Sequence, residues 1–194
     1  MKIGIRLHDL GKDEFEPLIK KTKELGFDSI QLVLHKAIVG ENGLFDSDKA
    51  KRYASILNKY DISVSLLCAY FNPVHSVKNK TVVAIEKFKN HLEYSHMIGC
   101  QCVGTETGSY NDDQWTYNDK NRSLEAYHQV LNIFQELVFT AESTKSLVAI
   151  EGAYNHVIYS PQLLKKLIDD LNSNHSRVIV DLYNYLDISN YQKR

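Results

Sequence analysis

A chain of 194 residues, 43% hydrophobic and 24% charged, has the composition of an ordinary globular protein with material for one core of usual size. A formal net charge of −1 supplies no basic excess of the kind that marks a nucleic-acid surface. No apolar run approaches the ~18 residues that suggest a membrane span, and three cysteines are too few and odd in number for a disulfide framework, which points to a reducing, cytoplasmic setting.

In chain order, Ile3–Leu7 is predicted as a buried first strand running into His8 and Asp9; Arg6 and His8 break the apolar run, so it is not a signal peptide. After Gly11, Asp13 is placed to cap a helix to about Leu25, since Phe15, Leu18, Ile19, Thr22 and Leu25 share one helical face. Gly26 then suits the position just past that helix. Ser29–Leu34 reads as a second strand ending near His35. A polar loop with Gly40 and Gly43 leads to Asp46 or Ser47, which start a second helix to about Lys59 carrying Ala50, Tyr53, Ala54 and Leu57.

Ile62–Cys68 is the third strand, with Ala69–Asn72 as its rim and Pro73 as its stop. Thr81–Ile98 is a long amphipathic helix closed by Gly99. Gln101–Thr105 is the fourth strand, with Glu106 at its tip. A polar and aromatic loop, Gly108–Asn121, carries Trp115. Ser123–Glu142 is a helix with Leu124, Tyr127, Leu131, Phe134 and Val138 along one side. Leu147–Ile150 is the fifth strand, Ser160 and Pro161 open a helix to about Leu171, and Arg177–Val180 is the sixth strand.

Near-continuous apolar strands alternating with helices imply a parallel α/β sheet. The Gly-rich turn of a dinucleotide-binding fold is missing, because His8-Asp9-Leu10-Gly11 has one glycine. This favours a (β/α)8 barrel, whose usual size is about 250 residues. Only about six βα units are present, so residues 1–194 are expected to form a single barrel domain that is C-terminally incomplete.

Two apolar strands end in an acid: Leu147–Ile150 runs into Glu151, and Val178-Ile179-Val180 into Asp181. Barrel active sites are built from such strand tips, and tip acids from neighbouring strands ~5 Å apart can share a divalent ion. The plainer alternative is that each acid caps the turn that follows. Glu106 is a third tip acid, either a substrate contact or a turn residue before Gly108. His156 and Asn184 follow the two main acids closely, and His8 and His35 sit at the first two tips; each can bond a polyol or carbonyl oxygen or be an ordinary loop residue. Tyr70, Phe71 and Trp115 can wall a pocket, with Phe71 better suited to the core. His91 and His96, five apart on a helix, face different ways. Cys100 and Cys102 are packing residues.

The tips Thr105-Glu106-Thr107-Gly108, Ile150-Glu151-Gly152 and Val180-Asp181-Leu182-Tyr183-Asn184, with the opening Ile3–His8 and the Ala153–Pro161 loop, resemble the sugar isomerase and epimerase family with a xylose isomerase-like barrel, to which the endonuclease IV branch is related. The resemblance implies a divalent cation (Mn, Mg, Co or Zn) held by acids of the fifth and sixth strands, which map onto Glu151 and Asp181, and by a His and a Glu of the seventh and eighth, which have no counterpart before Arg194. It also implies Glu151 as a proton-transfer acid, with His8, Glu106, His156 and Asn184 around a sugar or sugar phosphate. Many members have His where this chain has Asn184. On this reading the protein is a metal-assisted isomerase or epimerase, impaired by truncation. The alternatives are a non-catalytic half-barrel that self-associates, since open sheet edges need cover, and an endonuclease IV-like repair enzyme, which the charge balance and the lack of His at the third and fourth tips disfavour.

Overall fold

A computed structural model describes residues 2–112 and 115–186. Its strands are β1 (Gly4–Arg6), β2 (Ser29–Leu32), β3 (Ser63–Cys68), β4 (Cys102–Glu106), β5 (Leu147–Glu151) and β6 (Ser176–Val178). They form one sheet in the order 1-2-3-4-5-6, every neighbouring pair parallel. The crossovers carry α1 (Phe15–Glu24), α2 (Leu34–Ala37) with α3 (Ser47–Tyr60), α4 (Lys78–Tyr94), α5 (Leu124–Thr144) and α6 (Pro161–Leu171). Each strand adds beside the last without reversal, as in a (β/α)8 barrel, whereas a doubly wound sheet reverses at a switch point. The α/β barrel class expected from the alternation is therefore the one found, with six of its strands in place.

Period-two alternation gives the sheet two unlike faces. Ile30, Leu32, Val64, Leu67, Val103, Val148 and Ile150 are buried in one cluster with Ile19, Tyr53, Leu57, Phe88, Phe134, Leu137 and Leu167 of the helices. Burial of each such side chain contributes about 1.5–3 kcal/mol. The other face carries polar groups: Arg6, Gln31 and Glu106 line one cavity, and Gly4, Ser29, Ser63 and Ser65 line a second that Arg6 and Gln31 share. The fold thus keeps one side dry and leaves the other free to meet a solute.

Helix starts follow local chemistry. The side chains of Asp46, Ser123 and Ser160 accept from the backbone N–H of Lys49, Ala126 and Leu163, and Pro161 occupies the first turn of α6. Several expectations need correction. Asp13 does not cap α1: its backbone pairs with Ala37 and Val39, so the helix opens at Phe15 instead. Leu25 and Leu124 are 55% and 69% exposed, because each sits at a helix end beyond its buried stripe. The second strand stops at Leu32, and His35 belongs to α2. The long helix begins at Lys78 and tightens into a 3-10 turn over Ser95–Ile98 before Gly99.

The first strand ends at Arg6, and Leu7–Leu10 turn as a 3-10 helix that buries Leu7. The sixth strand is Ser176–Val178 and not Arg177–Val180; one more bond, Ile179 N–H to the Ile150 carbonyl, follows before pairing ceases. The physical reason is that β6 has a sheet neighbour on one side only among the described residues, so Val180 is left 74% exposed.

Phe71 is a core residue, as expected. His91 is buried and bonds the Lys87 carbonyl, whereas His96 bonds that of Lys145. Cys68, Cys100 and Cys102 are free thiols.

Candidate functional site

Glu106 ends β4 and Glu151 ends β5, and the two are register partners. Parallel pairing therefore delivers both carboxyl groups side by side at the C-terminal rim. Glu151 is only 7% exposed. Burial, reinforced by the charge of Asp181, raises its pKa to about 6 against the pull of an Asn184 amide that donates to Oε1 at 2.7 Å. Glu106 is pushed to about 7, first by burial and then by Glu151, with Lys36 opposing. Asp181 is not on a strand tip: it lies three residues beyond β6 and accepts the Tyr183 N–H at 2.9 Å. Its part in the site is the negative charge it adds near Glu151.

In front of these acids opens a cavity of about 660 Å³, in the size range of small-molecule sites. His8, His35, Tyr70, Glu106, Trp115, His156 and Asn184 all line it. The residues picked out after all six described strands therefore converge on one space. Glu151 and Asp181 do not themselves line it; Asn184 connects Glu151 to the cavity, bonding the first and lining the second.

The His156 ring is 4% exposed, stands 5.2 Å from the Trp115 ring, and has a buried Nδ1 without a hydrogen-bond partner among the described residues. Burial lowers its pKa to about 4, so at neutral pH the ring is uncharged. A buried N–H without an acceptor is rarer than an unfilled acceptor, which assigns the proton to Nε2 and makes that nitrogen a donor. His8 also has a buried Nδ1, unpartnered among the described residues. Its pKa is lowered, mainly by burial and further by Lys36 and Arg6, against Asp9.

The loops that carry these groups are braced by residues the sequence reading passed over. Asn72 donates to the carbonyls of Ser109 and Asp112 at 2.6 and 2.7 Å and accepts from the Val74 N–H. Asn121 donates to Ser109 Oγ and to the Asn155 carbonyl. Arg122 lies 3.6 Å from the Tyr159 ring centroid and donates to the carbonyls of Tyr154 and His156. Gln31 donates to the Tyr70 hydroxyl at 2.7 Å. The Tyr154 N–H bonds the Asn184 carbonyl, so the loops after β5 and β6 are also tied together. Isolated polar residues in loops carry no periodic signal.

Glu151 and Asp181 are hard oxygen donors whose charges repel, as suits a divalent cation. Among the described residues, however, no group of three or more His, Cys, Asp and Glu side chains is gathered to cage an ion. What joins the two acids is that the charge of Asp181 acts on Glu151. Among the described residues, no helix is long and apolar enough to cross a membrane.

The family profile described as a xylose isomerase-like TIM barrel matches residues 19–193. Among solved structures, the chain is similar to the IolI protein with a bound zinc atom, with a TM-score of 0.75 and 15% identity over 95% of this chain and 64% of that one. It is similar to a xylose isomerase-like TIM barrel protein from Mycobacterium smegmatis in complex with magnesium, with a TM-score of 0.74 and 14% identity over 94% of this chain and 65% of that one. It is also similar to D-psicose 3-epimerase in the presence of D-fructose, with a TM-score of 0.72 and 17% identity over 92% of this chain and 62% of that one. The chain thus spans less than two thirds of the length of each of these relatives. No curated protein matches it in sequence. The profile match over most of the chain, joined to an all-parallel sheet in sequential order, places this protein in the xylose isomerase-like TIM barrel family.

Proposed function

We propose that the protein is a sugar or sugar-phosphate isomerase or epimerase, moving a proton at a carbon next to a carbonyl, with Glu151 as the transferring group. The observation that carries this reading is a buried strand-tip carboxyl with a pKa raised to about 6, in register with a second acid at the rim of a small-molecule cavity. A general base works best when its pKa lies near the operating pH. Asn184 holds Oε1 of Glu151, which leaves Oε2 to take the proton. His156, neutral with Nε2–H as donor, meets a carbonyl or hydroxyl oxygen; His8 and Glu106 contact other hydroxyls.

Glu151 and Asp181 are the residues that would hold a divalent cation such as Mn, Mg, Co or Zn. When bound, such a cation supplies Lewis-acid stabilisation of charge developing on the carbonyl oxygen. Zinc and magnesium in two relatives support this assignment. The free cysteines suit a cytoplasmic location, and residues 1–194 are read as belonging to a single barrel domain.

The test is exchange of substrate hydrogen for deuterium in D2O, followed by proton NMR with D-psicose, D-fructose and their phosphates in the presence of Mn²⁺. The wild type is expected to exchange the hydrogen next to the carbonyl, and Glu151→Gln to lose about 10²–10⁴-fold of that rate. Unchanged exchange in the variant removes Glu151 from the mechanism; no exchange by the wild type with any ketose overturns the reading.

A second reading, a binding module that self-associates, draws on Val180, Leu182 and Tyr183, which are 74%, 59% and 80% exposed beside the open edge of β6. Exposed strand edges invite pairing. Light scattering that gives a dimer for the wild type and a monomer for Val180→Lys supports it; a monomeric wild type removes it.

A further inference from the structure

We infer that the ligand of this cavity carries an anionic oxygen group, a phosphate or a carboxylate, and that Lys36 is the residue that selects it. The inference rests on the proposed function only in taking the acid wall as the reacting end.

The cavity is electrically two-sided. Arg6 and His8 from the end of β1, and His35 and Lys36 from α2 just after β2, form one wall. Glu106 at the end of β4 stands on the other, with its register partner Glu151 behind it. The sequential strand order puts β3 between the two groups, so they are held apart by the sheet itself. On the first wall the Arg6 guanidinium is already neutralised by Asp9, Nε to Oδ2 at 2.8 Å.

Lys36 differs. Its ammonium group has no ion-pair partner among the described residues and lies 5.5 Å from the centroid of the Tyr70 ring. A cation over an aromatic face is held in place without being neutralised. Tyr70 is itself fixed by the Gln31 amide, so the charge has a braced platform on the cavity wall.

The two histidines beside it strengthen this arrangement. Burial, with Lys36 among the cations that follow, lowers the pKa of both His8 and His35. Both rings are therefore uncharged near pH 7 and act as neutral hydrogen-bonding groups beside Lys36, the lysine that lines the cavity. His8 Nδ1 is buried and without a partner among the described residues. Beyond the charge of Glu106 across the cavity, a neutral polyol gives Lys36 no further counter-charge. An anionic group does, through charge-assisted hydrogen bonds, and a lysine ammonium suits phosphate as a compact point charge. Attraction to Lys36 then turns the anionic end toward that wall and leaves the carbonyl end to the acids. The positive wall thus sets both selectivity and orientation.

The experiment follows Trp115 fluorescence on the full chain during titration with inorganic phosphate, D-fructose, D-fructose 6-phosphate and D-glucuronate, at low and high salt. Trp115 lines the same cavity. The phosphorylated or carboxylated sugar is expected to bind at least about tenfold more tightly than D-fructose, the worth of one charge-assisted hydrogen bond, with the advantage shrinking at high salt. Preference for D-fructose 6-phosphate identifies phosphate as the source, and preference for D-glucuronate identifies a carboxylate.

Lys36→Gln should abolish the preference and Lys36→Arg should keep most of it. Both variants should melt as the wild type does, since the side chain is exposed. Equal affinities for charged and neutral sugars, a preference that survives Lys36→Gln, or no binding of any of the four at millimolar concentration overturns the inference. Binding is read without turnover. A protein that prefers the charged sugar through Lys36 but exchanges no hydrogen defeats the isomerase reading alone; one that exchanges hydrogen without preference defeats the role of Lys36 alone.

Discussion

Two pairs of side chains in and near the site have ionisation shifted in opposite directions by the same cause. Burial raises Glu106 to about 7 and Glu151 to about 6 from an ordinary 4.5, and lowers His91 and His156 to about 4 from 6.5. Between pH 4.5 and 7 the folded state holds more protons on the glutamates than the unfolded chain does, so their contribution to stability falls as pH rises. Between pH 4 and 6.5 it holds fewer on the histidines, so theirs rises with pH. The two trends oppose one another in the wild type and separate on substitution. Glu106→Gln is expected to be more stable than the wild type by roughly 1–3 kcal/mol at pH 8, on the scale of 1.36 kcal/mol per pKa unit, with the gain gone at pH 4. Urea unfolding at the two pH values checks this, and equal stability changes at both would contradict it.

At the scale of elements, the site depends on loops pinned to one another. Gly108 has φ of 69°, and a Cβ added there would lie 2.1 Å from Asn72 Oδ1. Gly108→Ala therefore combines an unfavourable backbone conformation with a clash against the residue that bonds Ser109 and Asp112, and a loss of about 1–3 kcal/mol is expected by thermal melting. Arg122→Leu removes the cation from the Tyr159 face and leaves the Tyr154 and His156 carbonyls without their donor. Hydrogen exchange measured by mass spectrometry should quicken over residues 153–158 and stay unchanged over β2; equal quickening in both would mean a global effect.

These braces also mark where the sequence became opaque. Apolar runs and helical spacing reveal strands and helices because burial imposes a period, and Glu106 and Glu151 stand out because each follows such a run. Asn72, Asn121 and Arg122 have no period, and their partners are backbone carbonyls that any sequence provides. The end of β6 was misplaced for a related reason: Val178-Ile179-Val180 is apolar enough to be a strand, but pairing depends on neighbours, which the run itself does not encode.

Across the whole molecule, a sequentially ordered parallel sheet presents a dry face to the helices and a polar face to a cavity. That arrangement gathers acids from β4, β5 and the segment after β6 against basic groups from β1 and α2. The described residues carry six strands of the barrel, and the chain spans 64% of the length of the IolI protein. At the centre of that site stand two strand-tip carboxyls whose ionisation is displaced upward, Glu106 by burial and the charge of Glu151, and Glu151 by burial and the charge of Asp181. Carbon-13 NMR titration of the Glu106 and Glu151 side-chain carboxyls in metal-free buffer should give midpoints near 7 and 6, with that of Glu106 falling in Glu151→Gln. Midpoints for both near the ordinary 4.5 would contradict it.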